Sequence, residues 1–129
     1  MGHMDELTEG LAGYVRAVAQ QVGVPPEGTE YEVSDTVTAY LALAEGSGRD
    51  LMLVWSDVHG WSIAVETAPF EAPVVLAHLG HPLVPPPRVV ARFVADVLAG
   101  RSGGTEPTAK GSRQALAVRL RPYAWEPAD

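Results

Sequence analysis

Three histidines and one aspartate in the middle of the chain have the side chains best suited to metal chemistry. Asp57 and His59 share one turn, and His78 and His81 lie three residues apart further along. Imidazole and carboxylate groups are common ligands of zinc and related ions, so these four residues are weak candidate metal ligands. Their spacing matches no established metal motif, and a turn histidine beside a strand-end histidine explains the same pattern. We therefore expect no metal and no other cofactor.

The acidic connector at residues 24–35 is a second candidate, because carboxylates bind calcium and act as general acids or bases. Its carboxylates are Glu27, Glu30, Glu32 and Asp35, and the connector is expected to end in an extended stretch. Their spacing fits no calcium loop, and a solvated acidic connector is the more ordinary interpretation. The chain also has no Gly-x-Ser-x-Gly nucleophile motif and no glycine-rich phosphate loop. We predict no catalytic residues and favour a protein that is not an enzyme.

The composition is that of a small acidic globular protein. The chain has 129 residues, of which 47% are hydrophobic and 19% charged, and a formal net charge of −7. This length suits one domain, and the negative charge argues against a surface that follows nucleic-acid phosphates. The absence of cysteine excludes disulfides and thiolate ligands. No apolar run reaches membrane-spanning length, so we expect a cytoplasmic protein with neither a nucleic-acid nor a membrane partner.

Four short segments are rich in β-branched, aromatic and aliphatic residues and are predicted to form an antiparallel meander. They are residues 36–44, 51–56, 61–66 and 74–79. The first three are separated by glycine-containing turns, whereas the fourth is uniformly apolar, so its facing stays open.

Turn lengths predict the register of the first three strands. If residues 46–48 and 58–60 are three-residue loops, Leu43 pairs with Leu51 and Trp55 pairs with Ile63. The odd-numbered side chains then share one face, which is almost uniformly large and apolar. We predict that this face forms the core.

The opposite face of the meander, which we call the even face, is the main functional lead. Its members are Thr36, Thr38, Tyr40, Ala42, Met52, Val54, Ser56, Ser62, Ala64 and Glu66. They are small and mostly uncharged, whereas an open sheet face usually carries many charges, so another chain or the protein's own tail is expected to cover it. Tyr40, Met52, Val54 and Ala64 are the predicted partner-binding residues on this face.

Two amphipathic helices are predicted to pack on one face of the sheet, which makes the fold α+β. The first covers residues 5–22, and the second opens at Pro85 and ends before Gly100. Gly10 and Gly13 weaken the first helix. Either its start frays or a neighbour packs closely against the two glycines, and we favour fraying before Gly10.

The chain changes character after residue 100. Residues 1–4 read as a cloning remnant, 5–100 as a single α+β domain, and 101–129 as a linker with a basic tail. Residues 1–100 hold four basic and 13 acidic side chains, against five and three in the rest, so tail and body have opposite charge. Apolar residues alternate around Arg119 and Arg121, which favours an added edge strand, with a short helix as the competing interpretation. Both arginines are further candidates for partner binding.

Several stretches resemble a family of small uncharacterised proteins from high-GC Gram-positive bacteria. They are residues 13–19, 23–28, 50–55 and 59–62, and the resemblance spans about residues 10 to 100. The family that these stretches resemble is domain-of-unknown-function family 6292. The resemblance implies a domain that has no assigned activity and no assigned catalytic residue. The layout of helix, meander and helix is also similar to that of secretion chaperones, which bind polypeptides as dimers, although a fold does not fix a function.

We therefore expect a non-enzymatic module that binds a protein partner or forms a homodimer through the even face, with the basic tail as a candidate cap. The alternative is a small-ligand-binding or metal-binding domain, enzymatic or not, built from the acidic connector and the histidine-bearing loops. Histidines clustered at one cavity favour the alternative, and scattered ones argue against it.

Overall fold

One antiparallel sheet with helices packed on one side forms the fold. The computed structural model describes residues 6–43, 51–65, 74–80, 83–100 and 113–124. The elements are α1 (Glu6–Val22), a short 3-10 helix (Pro26–Gly28), β1 (Thr29–Val33), β2 (Val37–Ala42), β3 (Leu51–Ser56), β4 (Gly60–Val65), β5 (Val74–His78), α2 (Pro87–Leu98) and α3 (Arg113–Ala124). The strands lie in the order β1-β2-β3-β4-β5, each antiparallel to its neighbour. The predicted α+β fold is confirmed.

The sheet has five strands, one more than the sequence predicted. The additional strand is β1, which lies in the acidic connector and pairs with β2. Its central residues Glu30, Tyr31 and Glu32 are exposed, because β1 is an edge strand with one neighbour. Tyr31 and Val33 alternate with Glu30 and Glu32 as in a strand, but the two carboxylates favoured the interpretation as a solvated connector. Such charges are typical of a protected sheet edge.

The odd-numbered face forms the core, as predicted. Leu41, Leu53 and Ile63 are fully buried in one apolar cluster with the inner faces of α1 and α2. The N–H of Leu43 donates to the carbonyl of Leu51 at 3.1 Å, which confirms the predicted register of β2 and β3. The Gly46–Gly48 loop itself lies outside the described residues.

The predicted register of the second hairpin is wrong by two residues. Trp55 pairs with Trp61 rather than with Ile63. The reason is the Ser56 hydroxyl, which accepts the N–H groups of Val58 at 3.3 Å and His59 at 2.8 Å and so closes the turn one residue early. Since side chains alternate with a period of two, this shift leaves every residue on its predicted face.

A buried polar network fastens α1 and the segment before α2 to the sheet. The Tyr14 hydroxyl donates to the carbonyl of Pro85 at 2.5 Å and accepts from Trp61 Nε1 at 3.1 Å. Trp55 Nε1 donates to the carbonyl of Leu83 at 2.6 Å. Burial away from water raises the pKa of Tyr14 far above its ordinary value, so this hydroxyl stays protonated.

The C-terminal segment forms the helix α3 and not an added strand. It packs along α1, where a Cβ placed on Gly10 would lie 2.7 Å from Leu120 Cβ. Gly10 faces Leu120 and Gly13 faces Tyr123, so the two helices run parallel. Close packing, and not fraying, therefore explains the glycines of α1, which is helical from Glu6.

None of the described helices combines the length and the apolar composition that crossing a membrane requires.

Candidate functional site: the even face of the sheet

The even face extends across all five strands as a set of cross-strand rows. Pairing joins Glu30 to Tyr40, Tyr40 to Val54, Val54 to Ser62, and Ser62 to His78. The middle row therefore runs from a carboxylate at the β1 edge, over an uncharged centre, to an imidazole at the β5 edge.

The two flanking rows differ in polarity. One flanking row consists of Glu32, Thr38, Ser56 and Gly60. The other consists of Ala42, Met52, Ala64 and Val75. The even face is thus polar along one end of its strands and apolar along the other.

A bulge in β5 determines which of its side chains lie on the core face and which on the even face, a question that the sequence left open. Ala77 pairs with Ile63 and Val75 pairs with Ala64, so Leu76 has no pairing residue in β4. The extra residue places Ala77 with the core and both Val75 and His78 on the even face. Uniformly apolar residues at 74–77 carried no signal for this arrangement.

Two shallow cavities lie on either side of Val54, which lines both. The first, of about 380 Å³, is bordered by Glu30, Glu32, Thr38 and Tyr40. The second, of about 350 Å³, is bordered by Ser56, His59, Ser62, Val75 and His78. Val54 is therefore the apolar point between an acidic hollow and a hollow lined by imidazole and hydroxyl groups.

The four predicted partner-binding residues of the even face differ in accessibility. Tyr40 and Val54 are half-buried and present surface to a partner. Met52 and Ala64 are only 7% and 2% exposed within the single chain. A docking partner can therefore contact Tyr40 and Val54 directly, whereas Met52 and Ala64 support the face from within.

The described part of the basic tail, residues 113–124, lies away from the even face. Arg119 and Arg121 lie on α3, which packs on α1 behind the opposite side of the sheet. Arg121 Nη2 lies 3.4 Å from Glu6 Oε1, with both side chains exposed. The glycines of α1 hold α3 on the other side of the molecule, so neither arginine lies on the even face, and the rest of the tail lies outside the described residues.

The structure brings two of the candidate metal ligands together. His59 and His78 line the same cavity, because β4 carries the turn at His59 alongside the end of β5. Asp57 is not among the residues bordering it, and its buried Oδ1 has no hydrogen-bond partner within the described chain. His81 lies outside the described residues, and the described ranges contain no group of three potential ligands.

The acidic connector does not form one carboxylate cluster. Glu30 and Glu32 lie on the even face at the β1 edge, whereas Glu27 belongs to the 3-10 helix before it and Asp35 to the turn after it.

The even face lies within the part of the chain that matches a family model. A family model described as a family of unknown function, DUF6292, matches residues 14–96, which is more than half of the chain. The chain belongs to the DUF6292 family. The DUF6292 match contains the whole sheet and most of α1 and α2, and it leaves out α3. No curated protein and no solved structure gives a significant match to this DUF6292 chain.

Proposed function

We propose that this DUF6292 protein is a non-enzymatic protein-interaction module that binds its partner on the even face. The observation that supports the proposal is the uncharged centre of that face, where the half-buried side chains of Tyr40 and Val54 lie beside the buried Ser62, on a sheet whose helices pack on its other side. Uncharged surface of this kind is stabilised when a second surface removes it from water.

The edges of the even face fit the same function. Glu30 and Glu32 lie at one edge, and His59 and His78 lie at the other. An apolar centre within a polar rim is the usual anatomy of a protein interface, in which the rim sets orientation and the centre supplies affinity.

The test is to place a charge at the centre of the face. Val54→Glu is expected to abolish association, because a carboxylate would have to lose its water at the middle of the contact. Val118→Glu is the matched control, since Val118 is 52% exposed on α3, on the far side of the molecule. Sedimentation velocity over a concentration series measures association, and circular dichroism confirms that both variants fold. If the two variants associate like the parent protein, the even face is not the binding surface.

A second function is favoured by one observation, the two imidazoles at a single cavity. His59, His78, Ser56 and Ser62 border about 350 Å³, which has room for a small polar ligand. Imidazole and hydroxyl groups both donate and accept hydrogen bonds, so a ligand with several oxygen atoms suits them. Two imidazoles are fewer than the three protein ligands of an ordinary catalytic zinc site.

Native mass spectrometry of the gently purified protein tests this alternative. A retained ligand or zinc ion adds mass to the parent protein. His78→Asn is expected to abolish this added mass. The added mass that remains in His59→Asn shows how much the His59 imidazole contributes to binding. A parent spectrum without added mass, together with no change in imidazole NMR signals on adding zinc or inorganic phosphate, would count against the alternative.

A further inference from the structure

We infer that the partner on the even face is a second copy of this chain, related to the first by a two-fold axis that lies above Val54 and runs parallel to the strands. The inference rests on the proposed function and adds to it the partner and the orientation. It follows from the order of side chains in the cross-strand rows.

Such an axis reverses the order of the strands and keeps positions along them. Val54 then faces Val54 of the partner subunit, and Tyr40 faces Ser62 of the partner subunit, as the pairing within the middle row requires. Glu30 at one edge faces His78 of the partner subunit at the other. The carboxylate can accept a hydrogen bond from the imidazole, and the same contact occurs twice because the interface is isologous.

Side-chain sizes fit this orientation as well. Tyr40 meets a small serine, and Thr38 meets Gly60 of the partner subunit, which has no side chain. In these two pairs a larger side chain faces a smaller one, which suits interdigitated packing between two sheets.

The other two-fold arrangement of the same faces is disfavoured. An axis across the strands above the middle row sets each strand on its own copy and reverses positions along it, so Glu30 faces Glu30 and His78 faces His78 of the partner subunit. Each chain already has a net charge of −7, and like charges brought together at an interface oppose association. The axis along the strands removes that repulsion and replaces it with contacts between carboxylate and imidazole.

The two sheets are expected to cross at the usual angle of about 30°, which moves the outermost strands sideways by roughly 5 Å. A glutamate side chain spans such an offset, so the contact between Glu30 and His78 of the partner subunit survives it. Five strands of about six residues outline roughly 500 Å² per copy, and Met52, Ser62 and Ala64 within that outline are already buried, so the interface lies at or below the low end for specific interfaces. We therefore expect a reversible dimer that dissociates on dilution.

The experiment is sedimentation equilibrium of the full chain from about 1 µM to about 1 mM, a range that covers weak association. Glu30→Lys and His78→Glu are each expected to raise the dimer dissociation constant by about tenfold. Each substitution removes the carboxylate–imidazole contact at both of its symmetry-related positions. Glu27→Lys is the control, since it makes the same charge change on the 3-10 helix outside the face.

An equimolar mixture of the Glu30→Lys and His78→Glu variants is expected to restore dimerisation. In the mixed dimer the lysine introduced at position 30 of one copy faces the glutamate introduced at position 78 of the other copy. At the opposite end of the contact, the unchanged imidazole of the first copy faces the unchanged carboxylate of the second. Both ends of the mixed interface therefore pair opposite charges or a donor with an acceptor.

Restoration in the mixture, with the Glu27→Lys control unaffected, supports the inference. Parent protein that stays monomeric over the whole range overturns it. A dimer that Val54→Glu abolishes but the charge variants leave unchanged overturns the orientation and leaves the proposed use of the even face standing. A dimer that Val54→Glu also leaves unchanged overturns the proposed function itself.

Discussion

Gly13 of α1 lies against the backbone of Tyr123 in α3, so closely that a Cβ at position 13 would stand 1.6 Å from the Tyr123 carbonyl oxygen. No side chain larger than hydrogen fits there without moving one helix. Glycine at this position therefore serves packing, although it lowers the intrinsic stability of α1.

Gly13→Ala is expected to lower the free energy of unfolding by about 1–3 kcal/mol, because the new methyl group overpacks the contact between α1 and α3. In a helix without such a neighbour the same substitution raises stability by up to about 1 kcal/mol, so the sign alone is informative. Urea unfolding measures the change, and hydrogen exchange shows whether the amides of α3 lose protection. Gln21→Ala, at an exposed position of α1, controls for helix propensity. A stabilising Gly13→Ala would contradict the packing described.

Tyr14→Phe is expected to destabilise the fold by about 1–3 kcal/mol, because Trp61 Nε1 loses its acceptor and the Pro85 carbonyl loses its donor in a buried place. Tyr31→Phe is the matched control, since Tyr31 is 45% exposed, and it should change stability by no more than about 0.5 kcal/mol. Thermal and urea unfolding measure the stability of both variants relative to the parent protein. Equal effects of the two substitutions would show that the Tyr14 hydroxyl contributes nothing beyond its ring.

Stability is expected to fall as the pH rises above 10. Burial raises the pKa of Tyr14 well above its ordinary value of 10.0, although the hydrogen bond from Trp61 works in the opposite direction. In the unfolded chain this hydroxyl ionises near pH 10, whereas in the folded chain it keeps its proton, so the unfolded state binds fewer protons. The contribution of the neutral hydroxyl is complete below pH 10 and is lost above it, by up to about 1.4 kcal/mol per pH unit.

Unfolding free energies at a series of alkaline pH values, compared between the parent and Tyr14→Phe, measure this dependence. The substitution should flatten the curve above pH 10, and Tyr31→Phe should not. A parent and a Tyr14→Phe variant that lose stability at the same rate would rule out a role for this hydroxyl.

Local patterns in the sequence predicted much of the fold. The spacing of apolar residues located α1 and α2. The turn between β3 and β4 was expected to close at Gly60, which has a φ of +69°. The period of two in a strand assigned core and even faces correctly, even though Trp55 turned out to pair with Trp61. Face assignment is insensitive to a shift of two residues, whereas pairing is not.

Tertiary contacts determined the rest. The glutamates of β1 favoured a solvated connector over a strand, and its pairing with β2 decides between the two. The position of α3 depends on its contact with two glycines of α1, more than 100 residues earlier in the chain. No local sequence pattern connects segments so far apart. The meeting of His59 and His78 likewise depends on the bulge in β5, so the sequence identified both residues without indicating that they share a cavity.

The contact between α1 and α3 joins the first and last helices of the described chain on the side of the sheet away from the even face. A tether attached near Glu6 or near Ala124 would start from that rear layer. The protein can therefore be immobilised on a sensor surface, or fused to a reporter domain, through the neighbourhood of either helix while the even face stays accessible to solution. Binding measured in both orientations would then report on the same surface.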